Sequence, residues 1–331
     1  MKKYKWGIIG AGLVANQFAE DLKLLPGAHL YAIASRSGER AAEFARKHNI
    51  PVHYDSWEEI SADPDVGIVY VATHNNFHFA NTLACLNSGK AVLCEKPFTI
   101  NKRELEILVN KAREKDVFLM EAMWTRFLPS ILKVLEITKS GELGFLHDIY
   151  ADFGERTEYD PDHRIYNPAR GGGVLLDLGV YPVFLSLLLA GIPNNIKASA
   201  RFAENGVDHS CNMIFDHHNN VVSSLNCTLL ADSPVEANLI FENGWIRIES
   251  WWLTPGAITI HKYGKNPQTI EFSKSGRGYQ YEAAEVMRCL DAGLTESPLL
   301  PLKFSLDLMG TLDRIREICG IRYEQDNQNY H

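Results

Sequence analysis

Five short runs in the first 125 residues are apolar at almost every position: "KWGIIG", "HLYAIA" (29–34), "GIVYVAT" (67–73), "AVLCE" (91–95) and "VFLMEA". Helix-forming stretches lie between them. One runs through Leu22, one is "GERAAEFARKH", and two more span about Phe77 to Asn87 and about Lys102 to Lys115. A strand that is apolar throughout, rather than at every second residue, must be covered on both faces. That is the pattern of a parallel sheet with helices on either side. Residues 1–125 are therefore expected to form a doubly wound α/β domain.

Residues 126–331 have another texture. "HDIYADFGE", "IKASARFAE", "VVSSLNCTLL", "EANLIFE" and "WIRIES" alternate apolar and polar residues, with a turn at Glu242, Asn243 and Gly244. Alternation of this kind indicates a mostly antiparallel sheet with one covered face. Amphipathic helices return at about Tyr281 to Leu290 and Ser305 to Cys319. The second domain is thus α+β, and a chain of 331 residues is long enough for two cores. The apolar run from Val183 to Ile192 is far shorter than the ~20 residues of a membrane span and reads as a buried helix. The basic, apolar N-terminus resembles a signal peptide but fits a strand and glycine turn better.

Composition narrows the function. A net charge of −8 disfavours nucleic acid, and nothing points to a membrane. The six cysteines include no C-x-x-C pair, so neither a disulfide framework nor a zinc site is expected, and a reduced cytoplasmic protein is the simplest reading. His74 and His78 have i, i+4 spacing without the intervening glutamate of a zinc helix or an evident third ligand, so no metal is expected.

"GIIGAGLVA" follows the first strand and opens the first helix. Gly10 permits the tight turn, Gly12 leaves room for a pyrophosphate, and Ala15 keeps helix and strand close. Leu13 and Val14 begin the helix whose amides and dipole favour an anion. An NAD site would carry an acid at the end of the second strand; this chain has Ser35 and Arg36 there, with Arg40 one turn later. A hydroxyl and a guanidinium fit a 2′-phosphate, so NADP is expected ahead of NAD. The plainer alternative is a helix cap at Ser37 with arginines facing water. His78, together with Thr73 and Asn75, falls after the strand at 67–73, where the nicotinamide would lie.

"AVLCEKPFT" ends a buried strand with Glu95, Lys96 and Pro97. "CEKP" after such a glycine fingerprint resembles the glucose–fructose oxidoreductase and inositol dehydrogenase family. "FLMEAMWTRFLP", "GGGVLLDLGVYP", "YQYEAAEV" and "ESPLLPL" extend the likeness over almost the whole chain, toward its dimeric dihydrodiol dehydrogenase branch. The resemblance implies a Rossmann domain followed by a substrate-binding domain with a large, open-faced sheet, and a homodimer formed through that open face. It implies that Glu95 and Lys96 enter the active site, often with a cis bond before Pro97. It implies that Trp124 and Arg126 face the substrate.

In "GGGVLLDLGVYP", Asp177 and Tyr181 lie four residues apart and share a face if the segment is helical, although Pro182 disturbs such a helix. The three glycines would let a ligand approach the backbone. Many members of the wider family carry histidine at the position of Tyr181, whereas the dihydrodiol branch carries tyrosine. Without the resemblance, Tyr181 reads as a core residue with its hydroxyl satisfied. With it, Lys96, Tyr181 and Asp177 are the expected catalytic residues, and Tyr181 also touches substrate. The expected reaction is hydride transfer between NADP and a carbinol or carbonyl of a sugar, polyol or cyclic diol. The alternative is a catalytically silent, cofactor-binding regulatory or scaffold protein. Residues 159–170 have no counterpart in the resemblance and are expected to line the substrate pocket.

Overall fold

The computed structural model describes residues 3–328. It separates into two compact units. Unit 1 holds the chain up to Arg126 together with Ser275–Leu306; unit 2 holds Phe127–Lys274 and the chain from Asp307 onward. These units differ from the contiguous halves expected from the sequence, because residues 275–306 return to the first unit.

Unit 1 is built on six strands: β1 (Tyr4–Ile9), β2 (Ala28–Ala34), β3 (Val52–Tyr54), β4 (Ile68–Val71), β5 (Ala91–Glu95) and β6 (Leu119–Ala122). Their order is β3-β2-β1-β4-β5-β6 and every pair is parallel. Every residue of β4, β5 and β6 is buried, which is what the uninterrupted apolar runs require. The helices between the strands are α1 (Leu13–Leu22), α2 (Gly38–His48), α3 (Trp57–Ala62), α4 (Asn75–Asn87) and α5 (Lys102–Lys115). α2 and α5 begin at side-chain caps, Ser37 and Asn101, and end at left-handed Asn49 and Asp116. The short β3 and α3 are additions to the sequence reading; three residues are too few for a hydrophobic period to register.

Unit 2 contains α6 (Pro129–Ser140), β7 (Leu146–Gly154), α7 (Val180–Ala190) and the strands β8 (Asn195–Phe202), β9 (Asp208–Asp216), β10 (Val222–Thr228), β11 (Ala237–Phe241), β12 (Gly244–Ile248), β13 (Ala257–Lys262) and β14 (Gln268–Glu271). The sheet order is β14-β13-β12-β11-β7-β10-β9-β8, antiparallel except for β7 beside β10. One face turns Ile149, Phe153, Met213, Phe215, Leu225 and Leu239 into the core beneath α7. The other leaves Tyr150 45 % and Ile214 46 % exposed, so the sheet is open-faced.

A five-residue π turn, Leu175–Gly179, runs directly into α7. Pro182 lies three residues past the π turn, and the helix continues through it. The helical stretch Pro168–Ala190 is longer than the apolar run foretold. It matches a membrane span by length and composition, but 83 % of its apolar window is buried within the protein. Its apolar surface is that of a core helix.

The returning segment carries α8 (Tyr279–Asp291) and leads into α9 (Leu302–Cys319). It is fastened to α1 through the buried Asp21, whose carboxylate accepts N–H bonds from Arg277, Gly278 and Tyr279 at 2.8–3.0 Å. Tyr4 adds a hydroxyl donated to Asp291 at 2.6 Å. Asp21→Ala would leave these amides facing an apolar gap. With hydrogen bonds to a charged group contributing ~1.5–3 kcal/mol each, we expect a loss of about 3 kcal/mol or more in urea unfolding. An unchanged unfolding midpoint would show that the fastening contributes little.

Candidate active site

The glycine turn is dictated by close packing. Gly10 has φ +107°, and a Cβ there would run into the Ala72 carbonyl at the end of β4. Gly12 precedes α1, no side chain caps that helix, and a Cβ at Gly12 would meet nothing within 4 Å. The helix N-terminus thus keeps open space beside its amides, the arrangement a pyrophosphate needs. Leu13 is 75 % exposed beside this space, Val14 is half-buried, and Ala15 is fully buried against the sheet.

At the end of β2, Ser37 caps α2 by accepting the Arg40 N–H at 3.3 Å, and the Ser35 hydroxyl accepts the Ser37 N–H at 3.4 Å. Both arginines are exposed. The Arg40 guanidinium donates to the Ala11 carbonyl at 3.0 Å, and that of Arg36 lies 4.6 Å from the centroid of the Phe77 ring. The cap and the cationic rim therefore coexist. The Arg40 guanidinium reaches the glycine turn, and Arg36 stands at the strand end where an NAD site would place an acid.

The carboxyl edge of β4 and β5 gathers the next group. Thr73 donates its hydroxyl to Asn81 at 3.0 Å, and Asn75 is the first residue of α4, which begins two residues earlier than expected. His78 is fully buried, with Nδ1 2.8 Å from the Pro97 carbonyl and Nε2 3.2 Å from the Thr73 carbonyl. Burial pushes its pKa down to about 4, so the ring is neutral at pH 7 and donates to one of the two. His78 thus ties the two strand-end loops together, and both its nitrogens are turned toward carbonyls. Glu95 is buried, accepting the Tyr70 hydroxyl and, at 3.2 Å, the Lys96 N–H. Lys96 is half-buried, and the Lys96–Pro97 bond is cis.

Two carboxyls that the sequence reading passed over lie behind this edge. Glu121, on β6, is 1 % exposed; it accepts the Ser305 hydroxyl at 2.6 Å on one oxygen, and its other oxygen has no partner among the described residues. Burial pushes its pKa up to about 7. Glu282, on α8, is fully buried with neither oxygen partnered among the described residues, and burial raises it well above the usual carboxylate range. The available signal was a glutamate inside each of two otherwise apolar stretches, "VFLMEA" and "YQYEAAEV".

Of the two expected substrate residues, Trp124 stacks on Tyr279 with centroids 4.5 Å apart. Arg126 is buried, its Nε donating to the Leu299 carbonyl at 2.7 Å while Nη1 has no partner among the described residues.

In unit 2 the π turn holds Asp177, and Tyr181 follows in the first turn of α7; both are 5 % exposed. Asp177 is gripped by Arg164 through two bonds, 3.1 and 3.0 Å. Arg164 was not anticipated, since it lies in the stretch without a counterpart. Its charge also acts on Tyr181, and the Asp177 carboxylate raises its pKa. Tyr181 packs against Phe153, centroids 5.7 Å apart. The glycines serve the chain itself: a Cβ on Gly172 would meet the Arg164, Ile165 and Asn167 carbonyls, and one on Gly173 would meet Asp208 and Tyr323. Elsewhere in the same stretch, Tyr159 and Tyr166 wall a cleft of about 440 Å³ with Phe202, His209 and Leu229.

Comparison with known proteins agrees with this architecture. A model described as an oxidoreductase family with an NAD-binding Rossmann fold matches residues 4–123, and one for the GFO/IDH/MocA C-terminal domain matches residues 131–247. The chain is similar to trans-1,2-dihydrobenzene-1,2-diol dehydrogenase from Bos taurus, 37 % identical with 97 % of this chain and 98 % of that one covered. The Homo sapiens protein of the same name is 35 % identical, with 98 % and 99 % covered. Among solved structures, a levoglucosan dehydrogenase in complex with NADH and L-sorbose aligns with a TM-score of 0.88 at 18 % identity, covering 97 % of both chains. A 3-ketoreductase from Actinomadura kijaniata in complex with NADP and TDP-benzene aligns with a TM-score of 0.86 at 22 % identity, covering 96 % and 98 %. These two share the fold. With both family models matched in order and relatives aligned end to end, the chain belongs to the GFO/IDH/MocA family of NAD(P)-dependent oxidoreductases, the family of glucose–fructose oxidoreductase and inositol dehydrogenase.

Proposed function

We propose that this enzyme transfers a hydride between NADP and a carbinol or carbonyl carbon of a sugar, polyol or cyclic trans-diol. The observation that carries the reading is Lys96 at the carboxyl edge of a nucleotide-binding sheet, beside the buried Glu95, in a chain that aligns end to end with trans-diol dehydrogenases. The cofactor fits the residues present. Gly12 leaves open the space its pyrophosphate would fill, and the Arg36 guanidinium beside an acid-free strand end suits a 2′-phosphate. Ser35 and Arg40 would complete that contact, Leu13 and Val14 would border the pyrophosphate, and Thr73, Asn75 and His78 would shape the nicotinamide end. The six cysteines carry no disulfide, which supports a reducing, cytoplasmic setting.

When bound, the cofactor supplies the hydride acceptor or donor. The protein's task is to move a proton. During oxidation the substrate hydroxyl must shed its proton as its carbon loses hydride. Tyr181 is the proposed acceptor. An unperturbed phenol, with pKa ~10, is a poor base at neutral pH, and nearby cations favour the phenolate. Arg164 acts on Tyr181 within unit 2. Lys96 is proposed to hold the substrate oxygen, and Asp177, fixed by the Arg164 fork, to orient the proton-handling groups. Trp124 and Arg126 are proposed to face the substrate.

Three outcomes are expected. NADP should bind about tenfold or more tightly than NAD in calorimetry, since contacts to a charged group contribute ~1.5–3 kcal/mol; Arg36→Ala should erase most of the preference, and equal wild-type affinities would refute it. Tyr181→Phe should lose roughly 10²–10⁴-fold in turnover with NADP binding nearly unchanged, and Lys96→Ala at least as much. Turnover of Tyr181→Phe within threefold of wild type would make the tyrosine structural. The open sheet face, with Tyr150 and Ile214 exposed, supports a homodimer. Light scattering at micromolar concentration should therefore give twice the chain mass, and a monomeric mass would remove that proposal.

A further inference from the structure

The helical stretch that carries Asp177 and Tyr181 is pinned at its start from two distant parts of unit 2. Leu175 is among its first residues, and the leading N–H groups of a helix have no partner within it. Asp208, the first residue of β9 and 1 % exposed, accepts the Leu175 N–H on Oδ2 at 2.8 Å. Tyr323, just after α9 and also buried, donates its hydroxyl to the Gly172 carbonyl at 3.0 Å. Gly173 lies between the two. Its φ is +140°, and Asp208 Oδ1 and the Tyr323 hydroxyl stand where a Cβ would project, so only glycine fits. The Gly173 carbonyl in turn accepts the Asp177 N–H at 3.2 Å. The carbonyl that Tyr323 holds and the carbonyl that holds Asp177 are therefore neighbours in the chain.

Tyr323 is itself fixed. Its N–H donates to Asp326 at 2.9 Å, and the buried Arg316 guanidinium lies 4.8 Å from its ring centroid while donating to Asp326 and, at 2.9 Å, to Asp313. The exit of the π turn rests on the sheet, where a Cβ on Gly179 would meet the Cys227 sulfur of β10. A π turn is rare and recurs at functional sites. This one is held at its entry by Asp208 and Tyr323 and at its exit by Cys227, with the Arg164 fork on Asp177 between them.

We propose that Tyr323, with Asp208 opposite it, is a positioning residue for the reaction: residues 323–327 hold the entry of the π turn and so set where Asp177 and Tyr181 stand. The inference rests on the reading of Tyr181 as the proton acceptor. It adds that a hydroxyl about 140 residues further along the chain governs turnover through the backbone of the turn. Proton transfer needs the acceptor within hydrogen-bond reach of the substrate, and a misplacement of about 1 Å costs roughly 10²-fold in rate.

The test is steady-state oxidation by the full chain with NADP, in a cycle of wild type, Tyr323→Phe, Tyr181→Phe and the double variant. The substrate is the fastest of a panel of aldoses, polyols and trans-1,2-dihydrobenzene-1,2-diol. Tyr323→Phe keeps the ring on Arg316 and removes only the donor. It should lower kcat roughly 10–100-fold and leave the NADP dissociation constant within twofold. In the Tyr181→Phe background no phenol remains to be placed, so the same change should alter kcat less than threefold. A smaller fall in Tyr323→Phe, a matching loss of NADP affinity, or a change above threefold in the Tyr181→Phe background would overturn the inference alone. A wild type inert toward the whole panel, or Tyr181→Phe within threefold of wild type, would overturn the functional reading instead. A second readout needs neither substitution nor substrate: in hydrogen exchange at pH 7, the Leu175 and Asp177 amides should be protected as strongly as those of α7. Fast exchange at these two amides would also overturn the inference.

Discussion

Two neighbouring strands, β1 and β4, end side by side in the parallel sheet, and the chain leaves them toward opposite edges. Their separation at that point is so small that the Ala72 carbonyl occupies the place of a side chain on residue 10. The requirement is steric, and the rest of unit 1 follows from it. The tight turn at Gly10 delivers the chain to Gly12 and opens α1 with uncapped amides. The divergence of the strands leaves a crevice at the carboxyl edge, where His78 binds the loops after β4 and β5 to each other.

The two candidate clusters treat buried charge differently. Asp177 meets its counter-ion directly, in a two-point fork with Arg164, so its carboxylate is neutralised within unit 2. Two acids of unit 1 lack such a partner among the described residues: Glu121 has one oxygen bonded to the Ser305 hydroxyl, Glu282 has neither, and burial holds both toward their neutral forms. An apolar interior tolerates carboxylic acids more readily than carboxylates, and strongly perturbed acids gather at functional edges more often than elsewhere.

What the sequence disclosed, and what it withheld, divides along the range of the interactions. Uninterrupted apolar runs identified five of the six parallel strands, and alternation with a Glu242–Gly244 turn identified the antiparallel sheet, because both signals are local. The glycine turn was legible because its steric demand is written in one short stretch. Arg164 was not, since its partner lies thirteen residues away across irregular chain that carries no period. Glu121 and Glu282 looked like ordinary charged residues, and their burial is decided by how α8 and the start of α9 meet β6 and α1. The glycines at 172 and 173 were read as room for a ligand; the space is taken by Arg164, Asp208 and Tyr323. The return of residues 275–306 to unit 1 has no local signature at all.

That return has a consequence for how the protein is made. During synthesis every strand of the parallel sheet emerges within the first 122 residues, yet Asp21, Tyr4 and Glu121 wait for partners more than 180 residues downstream. Until Ser275–Leu306 arrives, the outer surface of α1 and the back of β6 face solvent with their polar groups unmatched. The intervening sheet of unit 2 must be threaded through this interval, so the first unit to be translated is not the first that can be finished. Contacts of such long sequence separation close late and slowly. A ribosome-bound chain ending before residue 275 would therefore hold a nucleotide fold that is complete in its strands and incomplete in its core.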